Sequence, residues 1–214
     1  MLDDVLTWAE IDLDAIAYNA AALKARAGGH AELMVTVKAN AYGHGAVPVA
    51  RAALDGGATR LAVARTLEGV ELRQAEISAP ILIMGYTLPA EAARIVRWDL
   101  TPTVNTVQQA MALSAAAQEA GKTVPIHIKV DTDMGRFGLL PGEVVDFVRT
   151  ISRLPGLFLE GLYTHFAIAD AADKTYTRRQ FEKYMNVVNQ LEATGFFFPL
   201  RHVSNSCLLY TSPS

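Results

Sequence analysis

A single cysteine, Cys207, leaves this 214-residue chain without partners for an internal disulfide framework or a multi-cysteine metal centre. Although 51% of the residues are hydrophobic, no apolar run approaches the roughly 18 residues that a membrane span needs. Basic charge is not in surplus: 19 Lys and Arg stand against 22 Asp and Glu, for a net charge of −3, with no basic cluster. A phosphate backbone has nothing to hold on to, and nucleic acid is excluded as an expected partner. The start, Met1-Leu-Asp-Asp4, is acidic and lacks the basic-then-apolar layout of a signal peptide. No glycine-rich dinucleotide fingerprint follows the first strand. These absences lead us to expect a soluble, cytoplasmic protein with no membrane partner and no metal.

The composition suffices for a packed core. Short apolar runs recur at 33–37, 60–64, 81–84, 101–104, 124–130, 157–164 and 200–204. Alanine-rich helical stretches separate them near 46–54, 66–75, 89–97, 105–120, 141–152 and 174–193. Strands alternating with helices predict a parallel sheet. The fold class expected is α/β, as a (β/α)8 TIM-type barrel truncated after its seventh strand; an open doubly wound sheet is the alternative. Ahead of the barrel, Trp8 to Leu13 alternates as a strand. A helix follows from about Asp14, which is placed to cap it, to Ala27, ended by Gly28-Gly29.

Several strand ends carry residues with chemistry. The run 33–38 alternates Leu33, Val35 and Val37 with Met34, Thr36 and Lys38, so Lys38 closes a buried strand. Desolvation makes an ammonium easier to deprotonate, hence a nucleophile or base, although such a lysine can also snorkel to solvent. Gly43 and Gly45 then let the chain turn, and Tyr42 can aim its hydroxyl at an anion. In Pro125–Asp131, Ile126, Ile128 and Val130 share one face while His127, Lys129 and Asp131 share the other. That polar row suits a site inside a barrel or the wet side of an edge strand. Arg136, in the loop Asp131–Gly138, offers a donor fork for a carboxylate or phenolate, or forms a loop salt bridge. His165 ends the sixth strand, and Asn205-Ser206 ends the seventh, where side chains and N–H groups can bind phosphate or merely turn the chain.

The stretch Val37-Lys-Ala-Asn-Ala-Tyr-Gly-His-Gly45 resembles the pyridoxal-phosphate lysine motif of the alanine racemase family. Three further strings match in family order. They are Lys129-Val-Asp-Thr-Asp-Met-Gly-Arg-Phe-Gly138, with Asp133 where a glycine is commoner, Thr164-His-Phe-Ala-Ile-Ala-Asp170, and His202-Val-Ser-Asn-Ser206. The resemblance covers nearly the whole chain up to Ser206.

It implies a fold-type III enzyme using pyridoxal 5'-phosphate, an isomerase interconverting L- and D-alanine by two-base proton transfer and supplying D-alanine for peptidoglycan. Lys38 would form the internal aldimine and serve as one catalytic base. Tyr42, Asn205 and Ser206 would bind the phosphate, Arg136 the phenolic oxygen, and His165 would pack on the pyridine ring. Lys129 would orient Arg136, and its equivalent is carbamylated in some members. The second base, a tyrosine on a C-terminal β domain of a homodimer partner, and the arginine facing the pyridine nitrogen match nothing here. The expected division is a strand at 1–13 that pairs with that other domain, a cofactor-binding barrel at 14–206, and a non-native tail at 207–214. The chain then reads as a fragment without racemase activity of its own. Alternatives are a D-amino-acid aldolase, a decarboxylase or a broad-specificity racemase on the same barrel, or a non-catalytic pyridoxal-phosphate-binding barrel protein.

Overall fold

A computed structural model describes residues 7–211. Seven short strands follow one another in chain order: β1 (Met34–Thr36), β2 (Arg60–Val63), β3 (Ile81–Ile83), β4 (Thr101–Pro102), β5 (Val124–Lys129), β6 (Leu157–Tyr163) and β7 (Leu200–His202). All ladders are parallel. β1 to β4 form one set and β5 to β7 the other. A parallel bridge from Thr103 to His127, with the Val104 N–H donating to the His127 carbonyl at 2.8 Å, joins β4 to β5. The strands therefore run sequentially around an incomplete barrel, as expected, and the outer edges of β1 and β7 have no ladder partner among the described residues.

Period-two alternation sorts the strands' side chains. Leu61, Val63, Ile81, Ile83, Ile126, Ile128 and Val130 are 2% exposed or less and pack under the surrounding helices. Those helices include α3 (Ala46–Asp55), α4 (Thr66–Gln74), α5 (Ala92–Arg97), α6 (Val107–Glu119), α7 (Val144–Ile151) and α8 (Thr175–Ala193). They bring Leu72, Ile95, Leu113, Ile151, Val188 and Leu191 to the same core. On β5 the opposite face is polar. His127, Lys129 and Asp131 are buried on it, and β5 is flanked on both sides, which removes the edge-strand alternative.

One local expectation changes, and the two chain ends gain detail. Helix α1 (Leu13–Ala27) begins one residue early, and Asp12 rather than Asp14 caps it, its Oδ1 accepting the Ala15 N–H at 2.9 Å. A cap must precede the first turn so that its carboxylate meets a free N–H three residues on, and Asp14 already lies inside that turn. Trp8 to Asp12 runs without a ladder among the described residues, and residues 1–6 of the expected strand lie outside them. In the expected tail, Ser206–Thr211 forms a short helix, α9. Arg26 of α1 donates to the carbonyls of Leu209 (2.7 Å) and Tyr210 (3.1 Å), and Lys174 donates to Thr211 Oγ1 (2.9 Å); residues 212–214 lie outside the description.

Candidate active site

Every expected site residue lies at or just beyond the C-terminal end of a strand, the face where βα loops of a barrel gather. Lys38 follows β1 directly, because Val37 still donates to the Ala62 carbonyl at 2.8 Å and so extends the ladder to the preceding residue. Next comes α2 (Lys38–Tyr42), whose residues Ala39, Asn40, Ala41 and Tyr42 all have φ between 50° and 58°. Four consecutive L-residues in the left-handed region are strained by roughly 1–2 kcal/mol each. Gly43 and Gly45, at φ 91° and 92°, complete the reversal into α3, as their permissive backbone allows. The turn closes on itself: Ala41 donates to Val37, Gly45 donates to Asn40, and Asn40 Oδ1 accepts the Ala46 N–H at 2.8 Å, capping the start of α3. Its backbone is also clasped from outside. Glu68 of α4 accepts the Ala39 N–H at 2.8 Å and, with its other oxygen, those of Ala64 and Arg65 at 2.7 and 2.9 Å. Tyr42 emerges exposed, its ring centroid 5.9 Å from Lys38 Nζ.

The loop after β5 is built around Asp131. One of its carboxylate oxygens accepts the N–H groups of Asp133, Met134 and Gly135 at 3.1, 2.9 and 3.1 Å. Asp131 and Leu139 close the loop's base by exchanging main-chain bonds with their neighbours across it. Arg136 is carried at the tip. Asp133, at φ 84° where a glycine is commoner in the resembled family, is secured by its carboxylate on Lys183 and its carbonyl under the Tyr176 hydroxyl. Gln180 of α8, fully buried, ties this loop to the next: Nε2 donates to the Thr132 carbonyl and Oε1 accepts the Ala167 N–H, two residues beyond His165.

Electrostatically, the site is a pocket of cations. Lys129, buried on the inner wall, is brought down to about 8 by desolvation and by the Arg136 charge, against the pull of Asp131. Burial and then the charges of Arg136, Lys129 and Lys38 lower His165, which keeps its imidazole neutral at neutral pH. Lys38 follows β1, Lys129 ends β5, Arg136 stands in the loop after it and His165 follows β6, so the four groups share one end of the barrel. Among the described residues none of the three cations has an ion-pair partner, a donor set that suits an anionic guest. Asn205 and Ser206 lie beyond β7, where Asn205 Oδ1 accepts the Leu208 N–H at 3.0 Å as the cap of α9. No hydrogen bond joins this pair to the other five among the described residues.

Beneath the cations lies a polar floor that sequence reading did not assemble. His127 Nδ1 meets His202 Nε2 at 2.9 Å, its Nε2 meets Glu160 at 3.0 Å, and Glu160 pairs with Arg60 at 3.2 Å. Tyr163 stacks on His202 with centroids 4.5 Å apart, and its hydroxyl meets Thr103 Oγ1 at 2.9 Å. Burial pushes His202 down to about 3 and lowers His127, while the hydrogen bond from His127 lowers Glu160. Glu160 occupies the extra position of a β-bulge opposite Ile126 and His127. Only its place among apolar neighbours in a strand hinted at this, and Arg60 and Gln180 gave no signal. Glu68 gave one: a carboxylate in the first turn of a predicted helix.

Comparison with known proteins gives the fold and the site a family context. The family model described as "Alanine racemase, N-terminal domain" matches residues 11–213. The alanine racemase of Desulforamulus reducens is 47% identical over 207 residues, covering 96% of this chain and 56% of the relative, and that of Methanococcus maripaludis is 44% identical with the same coverage. The solved alanine racemase of Clostridium difficile 630 superposes with a TM-score of 0.92 at 37% identity, over 96% of this chain and 57% of that one. A Bacillus anthracis alanine racemase structure with bound L-Ala-P gives 0.84, also at 37% identity, over 95% and 53%. The chain thus spans a little over half the length of the relatives it matches.

Proposed function

The chain belongs to the alanine racemase family through its N-terminal domain, and from that membership we propose that it is the cofactor-binding barrel of a pyridoxal-phosphate-dependent racemase interconverting L- and D-alanine. The observation that carries the reading is the placement of Lys38, Lys129, Arg136 and His165 at or just beyond the C-terminal ends of β1, β5 and β6, with no ion-pair partner for the three cations among the described residues. In the proposed division the barrel occupies residues 14–206. A segment ahead of it pairs with a second domain of the whole protein, which acts as a homodimer in the cytoplasm and supplies D-alanine for peptidoglycan.

Pyridoxal phosphate, when bound, supplies the electron sink that lets the substrate's Cα lose its proton. The chain's own residues do the rest. Lys38 Nζ would be the nucleophile that holds the cofactor and the base that takes or returns the Cα proton on one face. Tyr42, Asn205 and Ser206 would hold the phosphate. Arg136 would donate to the phenolic oxygen, and the neutral His165 would line the pyridine ring without adding a fourth positive charge. Lys129, with neutral amine available at about 8, attacks carbon dioxide and loses a proton, becoming a carbamate anion that pairs with Arg136. The base for the opposite face comes from the partner subunit's second domain. Every relative named above is an alanine racemase, which favours racemisation over the aldolase, decarboxylase and non-catalytic alternatives.

The test is to incubate the purified chain with pyridoxal phosphate, reduce with borohydride and map the label by peptide mass. Labelling at Lys38, lost in Lys38→Ala, is expected. A chain that circular dichroism shows to be cooperatively folded, yet takes no label, would sink the reading. The carbamate is checked separately: with 13C-bicarbonate, a carbamate carbon resonance should be present in the parent chain and missing from Lys129→Ala.

A further inference from the structure

The left-handed turn that follows Lys38 is held in part by a side chain from another βα unit. We infer that Glu68 is a positioning residue for Lys38, a carboxylate clamp that keeps the strained Ala39–Tyr42 turn in place and so fixes where the lysine stands. The inference rests on the reading of Lys38 as the cofactor lysine.

The geometry assigns the two oxygens different tasks. Oε2 accepts the N–H groups of Ala64 and Arg65, the ordinary service of a first-turn glutamate to its own helix. Oε1 reaches across to the Ala39 N–H at 2.8 Å, on the residue directly after Lys38. A carboxylate that merely capped α4 would leave Oε1 to water. Here it instead anchors the first of four residues with φ from 50° to 58°. Two of those four are alanines, which gain nothing from a left-handed backbone, unlike glycine or asparagine. The opposite end of the turn has its own tie, Asn40 Oδ1 on the Ala46 N–H. Glu68 thus secures the end that bears the lysine. A carboxylate offers both oxygens as acceptors, which an amide cannot reproduce, because a glutamine would present an NH2 to one of the two sets of N–H donors.

Two measurements on the purified 214-residue chain test this, one of them independent of the cofactor. By hydrogen exchange, Glu68→Ala should speed exchange in the peptide spanning residues 38–43 by about tenfold or more, in keeping with the loss of a hydrogen bond to a charged group. By borohydride trapping, the rate of pyridoxal-phosphate attachment to Lys38 per folded molecule should fall by about tenfold or more, as expected for a displaced reacting group. Adding Ala39→Gly to Glu68→Ala should restore much of that rate, because glycine adopts the left-handed backbone without strain and Ala39 is exposed, so no packing is lost. Glu68→Gln should behave like Glu68→Ala. The inference is overturned if Glu68→Ala lowers the melting temperature while exchange over 38–43 and the attachment rate stay at parental values, for Glu68 would then be only the cap of α4. Should the parental chain take no cofactor at Lys38, the functional reading fails, and the exchange result alone still decides whether Glu68 clamps the turn.

Discussion

Lys129 is 4% exposed on the inner wall, and burial with the Arg136 charge brings its ammonium from 10.5 down to about 8. Between those two values the unfolded chain binds a proton that the folded chain does not. The fold therefore gains stability as pH rises through about 8 toward 10.5, while below about 8 it carries the full burden of a buried cation. Urea midpoints at pH 7.5, 9 and 10 should accordingly improve for the parental chain relative to Lys129→Met, which has no ammonium to relieve. Parallel trends in the two proteins would mean that Lys129 is solvated. A steric counterpart sits next door. A Cβ at Gly161 would run into the ring of His127, so Gly161→Ala must push aside a histidine already bonded on both nitrogens. We expect about 1–3 kcal/mol of destabilisation or more, read from urea unfolding. Lys129 was visible in the sequence as one of a polar row. Gly161 was not, since nothing in a strand's own residues reveals which neighbour's ring lies above it.

At the scale of elements, the seven strands and the helices between them were legible because each strand is short, apolar and bounded by alanine-rich helical sequence. Burial on both faces of a parallel sheet leaves that signature. The turn at Lys38–Tyr42 was legible as a motif and as a reversal at Gly43 and Gly45, yet its left-handed run was not. Ala39, Ala41 and Tyr42 carry no preference for positive φ; the conformation is held by bonds to Val37 and from Asn40 within the turn and by Glu68 from outside. The loops bearing Arg136 and His165 were similarly found by their residues, while the strut between them was hidden. Gln180 looks like any polar residue on a long amphipathic helix until the fold places its amide between the Thr132 carbonyl and the Ala167 N–H. Gln180→Leu fills similar space but leaves the buried Thr132 carbonyl and the Ala167 N–H without their side-chain partner, at about 1–3 kcal/mol. The expected result is a lower melting temperature together with faster hydrogen exchange in the peptides around residues 132–138 and 165–170. A loss of stability with exchange in those loops unchanged would reduce Gln180 to ordinary core packing.

Across the whole molecule, the barrel floor couples strands that lie far apart in sequence. Arg60 on β2, Glu160 on β6, His127 on β5 and His202 on β7 form one hydrogen-bonded chain, and Tyr163 on β6, bonded to Thr103 just past β4, joins it by stacking on His202. Its charge balance makes the fold acid-sensitive in a definite direction. His202 is held at about 3 and His127 is also lowered, each chiefly by burial with the Arg60 charge acting in the same direction, so between about 3 and 6.5 the unfolded chain takes up a proton that His202 in the folded chain refuses. Glu160 adds in the same sense, because a depressed carboxylate contributes stability above its unfolded value and loses it as pH falls. At pH 5 a single histidine held this way weakens the fold by up to about 2 kcal/mol relative to pH 7.5, from 1.36 kcal/mol per pH unit below 6.5. Urea midpoints should therefore drop between pH 7.5 and pH 5, and the drop should shrink in His202→Gln, which keeps a hydrogen-bonding side chain but cannot titrate. If His202→Gln falls as steeply as the parental chain, the acid sensitivity belongs to other groups. Because these residues span β2 to β7, protonating the floor should loosen the barrel as one unit, and exchange protection should fall together in β2, β5, β6 and β7 instead of fraying from a single edge.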